Sequence, residues 1–460
     1  RLLHNAPHLV DPLPLILPIY DGAKRGPKLI RLGMGLYDVL SYDKSLDHHH
    51  MLSRKATMQR LPGLNADGLR ASARYYDAQI TFAERLAVEQ MRSAEQHGAR
   101  FRTYCQVERI VTEGAVVRGV EAVDLRSGVT ETFHAKTVLN VTGPWVDCLL
   151  EAVPSPYRPD RQMGGTKGSH IVVAPFDGAP VEAVYVEAKS DGRALFIVPW
   201  NGNYLIGTTD LRYDGNLDDV RASDDEIAYL IAETNALFPT AQLTGDDLLF
   251  CYSGVRPLPY TPAGSTAAIT RDHQVKNHEP RLIGLWSVIG GKLTTHRPLA
   301  EKAVDIICKA IGSTAKCQTT DAPFPGAAGI VQDAYAAALR RDAPLPLQTV
   351  NRLAGLYGAM ADEVVALSMQ DASLAEVIDS DSGAIAAEVI YGFERESATT
   401  LEDLLMRRTM LGLDAKMAVG TDRKAADVAQ RFLGWDAARA DQEVAAYRTH
   451  LERFRPKSLR

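Results

Sequence analysis

The stretch SVIGGKLTTHRPLAEKAVD, residues 287–305, governs how the rest of the chain is read. An apolar run stops at Gly290 and Gly291, a lysine follows, and the remainder carries the spacing of a helix. A strand that ends in bare backbone and restarts as a helix leaves first-turn N–H groups, and the positive end of a helix dipole, beside the turn. Lys292 adds a full charge, and Thr294, Thr295 and His296 add hydroxyl and imidazole groups. Such a turn suits a partner that needs close backbone approach and a cation.

Around it lies a chain of 460 residues, long enough for two or three domains. With 46% hydrophobic and 23% charged residues it has the make-up of a globular protein with a sizeable core. A net charge of -6 argues against a dedicated nucleic-acid binder. The five cysteines (Cys105, Cys148, Cys251, Cys308 and Cys317) are odd in number and form no C-x-x-C pair. That argues against a disulfide scaffold and against zinc, and for a reducing compartment. No apolar run reaches the ~18 residues that a membrane-spanning helix needs.

Residues 9–22, LVDPLPLILPIYDG, are apolar but carry Pro12, Pro14 and Pro18, so an extended segment is predicted. PKLIRLGMGLYDVLSY (27–42) has a helical pattern, and ITFAERLAVEQMRSAEQHGARF (80–101) is a second helix stopped at Gly98. RTYCQVERIV and GVEAVDL read as strands, and TVLNVTGPWVDCLL (137–150) as a buried strand, a glycine turn and a helix start. Next, SHIVVAP, AVYVEA, ALFIVPW and NYLIGTTD are short β-type runs set apart by turn residues, the pattern of an antiparallel sheet. From about Asp321 the text turns helical and alanine-rich, and TTDAPFPG (319–326) has the composition of a linker.

Three motifs are set aside. GMGLYD (33–38) imitates a dinucleotide fingerprint but lacks its third glycine and its preceding strand. GGTKGSH (164–170) lacks the spacing and the following helix of a phosphate loop. In DHHHML the adjacent residues His48, His49 and His50 are poorly placed to converge on one ion, and a solvated loop is expected.

What remains is a series of glycine turns with polar neighbours: NVTGPW (140–145), KGSH (167–170), IGTTD (206–210), SGVRPL (253–258) and GGKLTT (290–295). In that order, together with APHL (6–9), SPYRPDRQMGGTKGSHIVV (155–173), AITRD (268–272) and TLEDLLMRRTMLG (400–412), they resemble the FAD-dependent, quinone-linked glycerol-3-phosphate dehydrogenases over nearly the whole chain. The resemblance implies an α/β fold: a Rossmann-like FAD-binding domain lacking its first βα unit, a mixed or antiparallel-sheet substrate domain, and a C-terminal helical domain. The expected boundaries are about 78–150 and 281–312 for the FAD-binding parts of a 1–320 region, about 9–77 and 151–280 for the interleaved substrate domain, and 321–460 for the helical domain.

For the cofactor, the resemblance implies Gly290, Gly291, Lys292, Leu293 and Thr294 beside the flavin ring, Thr142, Gly143, Pro144 and Trp145 near its pyrophosphate and adenosine, and Val107 near the adenine. For the substrate it implies Arg256, whose planar fork suits a phosphate, with Lys292, Thr209 and Asp210 nearby. His170 is the expected base for the C2 hydroxyl, since histidine titrates near working pH, with a hydrogen-bonded core histidine as the alternative. Thr209 and Asp210 either position substrate or hold the neighbouring turn.

Partners implied are glycerol 3-phosphate, a quinone, the inner face of the cell membrane as a peripheral contact from the cytoplasm, and a homodimer. The tail RFRPKSLR (453–460), cationic and free of acids, and the early apolar segment are the expected membrane contacts. A glycerol-3-phosphate oxidase using dioxygen, or an inactive remnant that binds a partner, are the alternative readings. The family opens with a strand, G-x-G-x-x-G and a helix, then a stretch like GGLRYLE, none of which is present. The chain is therefore expected to begin about 70 to 80 residues into the family sequence, with weak FAD binding as the consequence.

Overall fold

The computed structural model describes residues 1–23, 25–40, 46–262 and 269–456. In chain order, the short helix α1 (Leu2–Asn5) and strand β1 (Val10–Tyr20) lead into helix α2 (Pro27–Leu40), strand β2 (His50–Ser53), helix α3 (Arg54–Arg60), strand β3 (Leu69–Ile80) and helix α4 (Ala83–Gln96). Strands β4 (Cys105–Glu113), β5 (Val116–Asp124), β6 (Thr130–His134) and β7 (Val138–Asn140) precede helix α5 (Val146–Glu151). Strands β8 (Thr166–Val173), β9 (Ala183–Glu187), β10 (Ala194–Trp200), β11 (Asn203–Gly207) and β12 (Leu211–Arg212) follow, then α6 (Asp224–Leu237), β13 (Leu248–Arg256), β14 (Gln274–Asn277), β15 (Leu285–Ile289) and α7 (His296–Ala310).

Strands β1 to β3 join β8 to β13 in one nine-stranded sheet, so two distant stretches of chain build a single layer. The prolines of β1 show how this is possible. Pro12, Pro14 and Pro18 pair with Ala78, Tyr76 and Ser72 of β3, and all three share one parity. Their missing donors fall on the side toward β9, where β1 is bridged only at Leu15 and Ile16. One face of this sheet is closed by α3 and α6 over a core that includes Ile16, Ile171, Val184, Ile206 and Phe238.

Two smaller three-stranded sheets carry the other part: β4–β5–β6, and β14–β15–β7, in which β7 and β15 run parallel. The C-terminal part is helical, with α8 (Gln332–Asp342), α9 (Leu347–Tyr357), α10 (Ala361–Ser368), α11 (Ala386–Arg395), α12 (Thr421–Phe432) and α13 (Ala437–Leu451) around a core that also takes in Val172, Trp200 and Phe250 of the nine-stranded sheet.

TTDAPFPG has a linker's composition but not its behaviour, which corrects the sequence reading. Phe324 N donates to the Asn5 carbonyl at 2.8 Å, and Pro325, Gly326 and Ala327 are buried. Gly326 N donates to Glu89 Oε2, whose other oxygen meets His8 Nε2 at 2.5 Å inside a fully buried pair. A Cβ on Gly326 would lie 2.4 Å from that His8 nitrogen. The glycine is there for close packing, not for freedom. His48 and His49 lie in a loop, with His48 and His50 exposed; His48 and His49 approach Asp38 Oδ2 at 3.3 and 2.7 Å, and His50 opens β2.

Candidate active site

Strand β8 lies between β11 and β13, and the register sets Gly207 and Tyr252 on either side of His170. Gly254 stands opposite Gly168. Alternation along a strand puts Gly168 and His170 on one face, with Tyr252, Gly254 and Arg256. The glycines make the room. A Cβ on Gly207 would lie 2.2 Å from His170 Cδ2, and one on Gly168 would lie 2.3 Å from Arg256 Nη2. The ring and the guanidinium therefore lie flat over bare backbone.

His170 stacks on Tyr252 with centroids 5.2 Å apart and planes 17° from parallel. Arg256 Nη1 donates to Asp210 Oδ1 at 3.1 Å, while Nη2 donates to Thr208 Oγ1 at 3.1 Å and to the Thr209 carbonyl at 3.3 Å. Arg271 Nη2 stands 3.9 Å from the other Asp210 oxygen. Two guanidinium groups share one carboxylate, which leaves the cluster with an excess positive charge. Burial, and then the charge of Arg256, push His170 down to about 4, so its imidazole is neutral at pH 7.

That shift has a stability consequence with a definite sign. The unfolded chain takes up the imidazole proton below its ordinary value of 6.5, and the folded chain only near 4. The stability tied to neutral His170 is complete above pH 6.5 and is lost as the pH falls toward 4. His170→Gln, which cannot titrate, is expected to remove about 2 kcal/mol of the stability difference between pH 7 and pH 5. Urea midpoints of both proteins at the two pH values measure it.

Thr209 is tied to β8 and α6. It is buried, its hydroxyl donates to Glu226 Oε1 at 2.7 Å, and it accepts from Ser169 N at 2.9 Å. Glu226 also accepts from Ser169 Oγ and pairs with Lys167 Nζ at 2.7 Å. Burial works to raise its pKa, but the bonds from Lys167, Ser223, Thr209 and Ser169 outweigh burial and hold it below the ordinary carboxylate range. Asp210 instead faces Arg256. Glu226→Gln is expected to cost about 2–3 kcal/mol by turning an acceptor with four partners into a half-donor, read as a lowered urea midpoint.

The second half of the site is a pair of strand–turn–helix units. In the parallel pair Leu285, Trp286 and Ser287 stand beside Val138, Leu139 and Asn140. Both strands end at the same edge, where NVTGPW leads into α5 and GGKLTT into α7. Nucleotide cofactors bind at that end of a parallel sheet. The Asn140 amide presets the first turn: Nδ2 donates to the Val146 carbonyl, and Oδ1 accepts from Thr142 N and Oγ1. Gly290 N donates to the Pro257 carbonyl at 2.7 Å, which ties the second turn to the residue after Arg256.

The surroundings of these turns fit a flavin. Gly143, Gly290 and Gly291 have φ of +59°, +78° and +106°, and a Cβ on Gly143 would meet nothing within 4 Å. Trp145 and Leu293, within the turns, are exposed apolar side chains, as is Val107 on β4. Lys292 is exposed. Gly290 has a further cause, since its Cβ would stand 2.6 Å from the Asp272 carbonyl. Trp145 Nε1 donates to Asp218 Oδ1 at 2.9 Å, linking this edge to the loop before α6.

Sequence reading overlooked Thr208, Tyr252 and Arg271, although each lies inside or beside a quoted motif. The usable signal was the alternation Tyr252-x-Gly254-x-Arg256 against Gly168-x-His170.

This arrangement, a glycine-turn nucleotide edge facing a bare sheet with one imidazole and paired arginines, defines a flavin-dependent oxidoreductase. Residues 12–297 match the family described as FAD dependent oxidoreductase, and residues 317–440 match the C-terminal domain of alpha-glycerophosphate oxidase. The chain is 42% identical to a glycerol-3-phosphate dehydrogenase of Synechocystis sp., covering 98% of this chain and 84% of that protein. It is 35% identical to a D-erythritol 1-phosphate dehydrogenase of Brucella abortus, over 89% and 80% of the two chains. It also superposes on the FAD complex of Bacillus halodurans glycerol-3-phosphate dehydrogenase with a TM-score of 0.77 and 27% identity, over 98% of this chain and 84% of that one. The chain belongs to the FAD-dependent glycerol-3-phosphate dehydrogenase family.

Proposed function

We propose that the chain oxidises sn-glycerol 3-phosphate to dihydroxyacetone phosphate with bound FAD, and that a quinone receives the electrons. The observation that carries the reading is the positively charged pair of Arg256 and Arg271 around Asp210, beside a neutral imidazole on a bare sheet face. A phosphate monoester meets two guanidinium forks there, and both substrates named among the relatives are polyol monophosphates.

FAD, when bound, supplies the two-electron oxidant for C2. Gly291, Lys292, Leu293 and Thr294 would stand at its ring, and Thr142 to Trp145 with Val107 along the remainder. The first-turn N–H groups of α7 and Lys292 favour the negative charge that reduction brings. His170 takes the C2 hydroxyl proton, its basicity restored when the substrate phosphate neutralises Arg256, one cause of its low pKa. Tyr252 keeps that ring in plane and shields it from water on one side.

Arg256 is one cause of the low His170 pKa, so neutralising Arg256 with a dianion is expected to raise it. NMR titration of the His170 ring should give a value near 4 alone and a higher one with glycerol 3-phosphate. An unchanged value would remove Arg256 from the phosphate contact. Steady-state oxidation of glycerol 3-phosphate by the FAD-loaded protein tests the activity, and peroxide release against quinone reduction separates an oxidase from a quinone-linked enzyme.

Peripheral contact with the inner face of the cell membrane, from the cytoplasm, belongs to the same reading, because a quinone is lipid-soluble. Among the described residues no helix is long and apolar enough to cross a membrane. Of the cationic tail, Lys457 to Arg460 lie outside the described residues, and Arg455 stands 3.7 Å from Glu452.

A further inference from the structure

We infer that helix α2 is the element that seats this chain on a membrane, its outward apolar stripe and flanking cations fitting the boundary between headgroups and acyl chains of an anionic leaflet. The inference rests on the peripheral-contact reading above and says which residues make the contact. Helix α2 has 14 residues and none of them is buried. Leu29, Leu32, Leu36, Val39 and Leu40 are 56–74% exposed. Their spacing of i, i+3, i+7, i+10 and i+11 draws one stripe about 17 Å long.

The opposite side of α2 lies over β3 but, among the described residues, joins no core cluster. Ile30, Met34 and Tyr37, with Leu29 at the margin between the two faces, look onto a cavity of about 1150 Å³ lined also by Leu17, Tyr75 and Tyr185. A helix of this length is marginal in water unless an apolar face is packed against something. Among the described residues neither side of α2 joins a core, and an external apolar phase would supply that stabilisation.

Charge selects the phase. Arg25, Lys28 and Arg31 are exposed, and among the described residues no carboxylate pairs with them. The helix has one acid, Asp38, which His49 and His48 already approach at 2.7 and 3.3 Å. The patch is thus cationic on a chain whose net charge is -6. Two copies meeting through α2 would bring their unpaired cations onto one small surface, which like-charge repulsion opposes. An anionic leaflet accepts both the stripe and the cations.

The test is co-sedimentation of the FAD-loaded 460-residue chain with vesicles of phosphatidylcholine alone or mixed with phosphatidylglycerol. The wild type should bind the mixed vesicles and lose much of that binding in high salt. The double variant Leu32→Glu/Leu36→Glu should lower the partition coefficient at least ~10-fold, and Lys28→Glu/Arg31→Glu should abolish the preference for anionic lipid. Both should keep the wild-type urea midpoint and oxidation rate with a water-soluble dye, which shows that the fold and site are intact. If the wild type binds and the leucine variant binds equally, α2 is wrong while the peripheral reading stands. If the wild type binds neither vesicle, both fall. A lipid-free dimer lost in the leucine variant would assign the stripe to a second copy and overturn the inference.

Discussion

Replacing Arg256 by lysine is expected to lower kcat/KM for glycerol 3-phosphate on the order of 30- to 1000-fold, through weaker substrate binding. Lysine keeps the charge but loses the two-pronged geometry, and a lost charge-assisted pair at a desolvated site costs on the order of 2–4 kcal/mol. The structure adds a reason for the upper part of that range. Arg256 is held by Asp210, Thr208 and the Thr209 carbonyl over the space left by Gly168, a seat shaped for a planar group. A lysine ammonium there meets Asp210 without the fork that reaches outward. Plain glycerol, which lacks the phosphate, should be a poor substrate for both proteins and change little. Equal losses on the two substrates would mean that Arg256 supports the fold or the flavin instead.

A still larger expected effect concerns stability. Arg85 of α4 is fully buried, and its Nη1 donates to both Glu396 oxygens at 2.8 Å. The same nitrogen donates to the Arg408 carbonyl, and Arg408 Nε donates to the Glu396 carbonyl at 2.7 Å. The Arg85 guanidinium also lies 4.6 Å from the centre of the Tyr357 ring. This knot joins α4 to the helical C-terminal part, with both charged side chains fully buried. Glu396→Ala is therefore expected to cost about 3–5 kcal/mol, because it strands the arginine. Arg85→Met combined with Glu396→Leu should recover most of the loss, since the cost of a broken buried pair is the unpaired charge. Urea midpoints of the wild type, the single variant and the double variant decide it. A single variant as stable as the wild type would show that the pair contributes nothing.

The motifs of this chain were legible because each combines a backbone requirement with a chemical one. GGKLTT needs glycine for positive φ and a helix start behind it, and NVTGPW repeats that logic, so both turns could be located before their neighbours were known. Which side chains converge was not legible in the same way. Thr209 and Asp210 are adjacent, yet one is buried against Glu226 and the other faces Arg256. His170 was readable as an imidazole near working pH, but burial and a cation from another strand carry it to about 4.

The linker reading failed for a related cause. TTDAPFPG carries breakers of regular structure, which composition reports faithfully, but whether such a segment is loose depends on what it touches. Here it touches Asn5, His8 and Glu89. Helix α2 shows the same division. Its periodicity predicted a helix, while only the tertiary structure showed that, among the described residues, its apolar stripe stays exposed. By itself the sequence determined the local turns, the strand and helix periods and the family resemblance, because these rest on dihedral preference and spacing along the chain. The tertiary structure decided the partners, the protonation state of His170 and the direction of every fork. Those depend on contacts between residues that lie far apart along the chain, which no local pattern encodes.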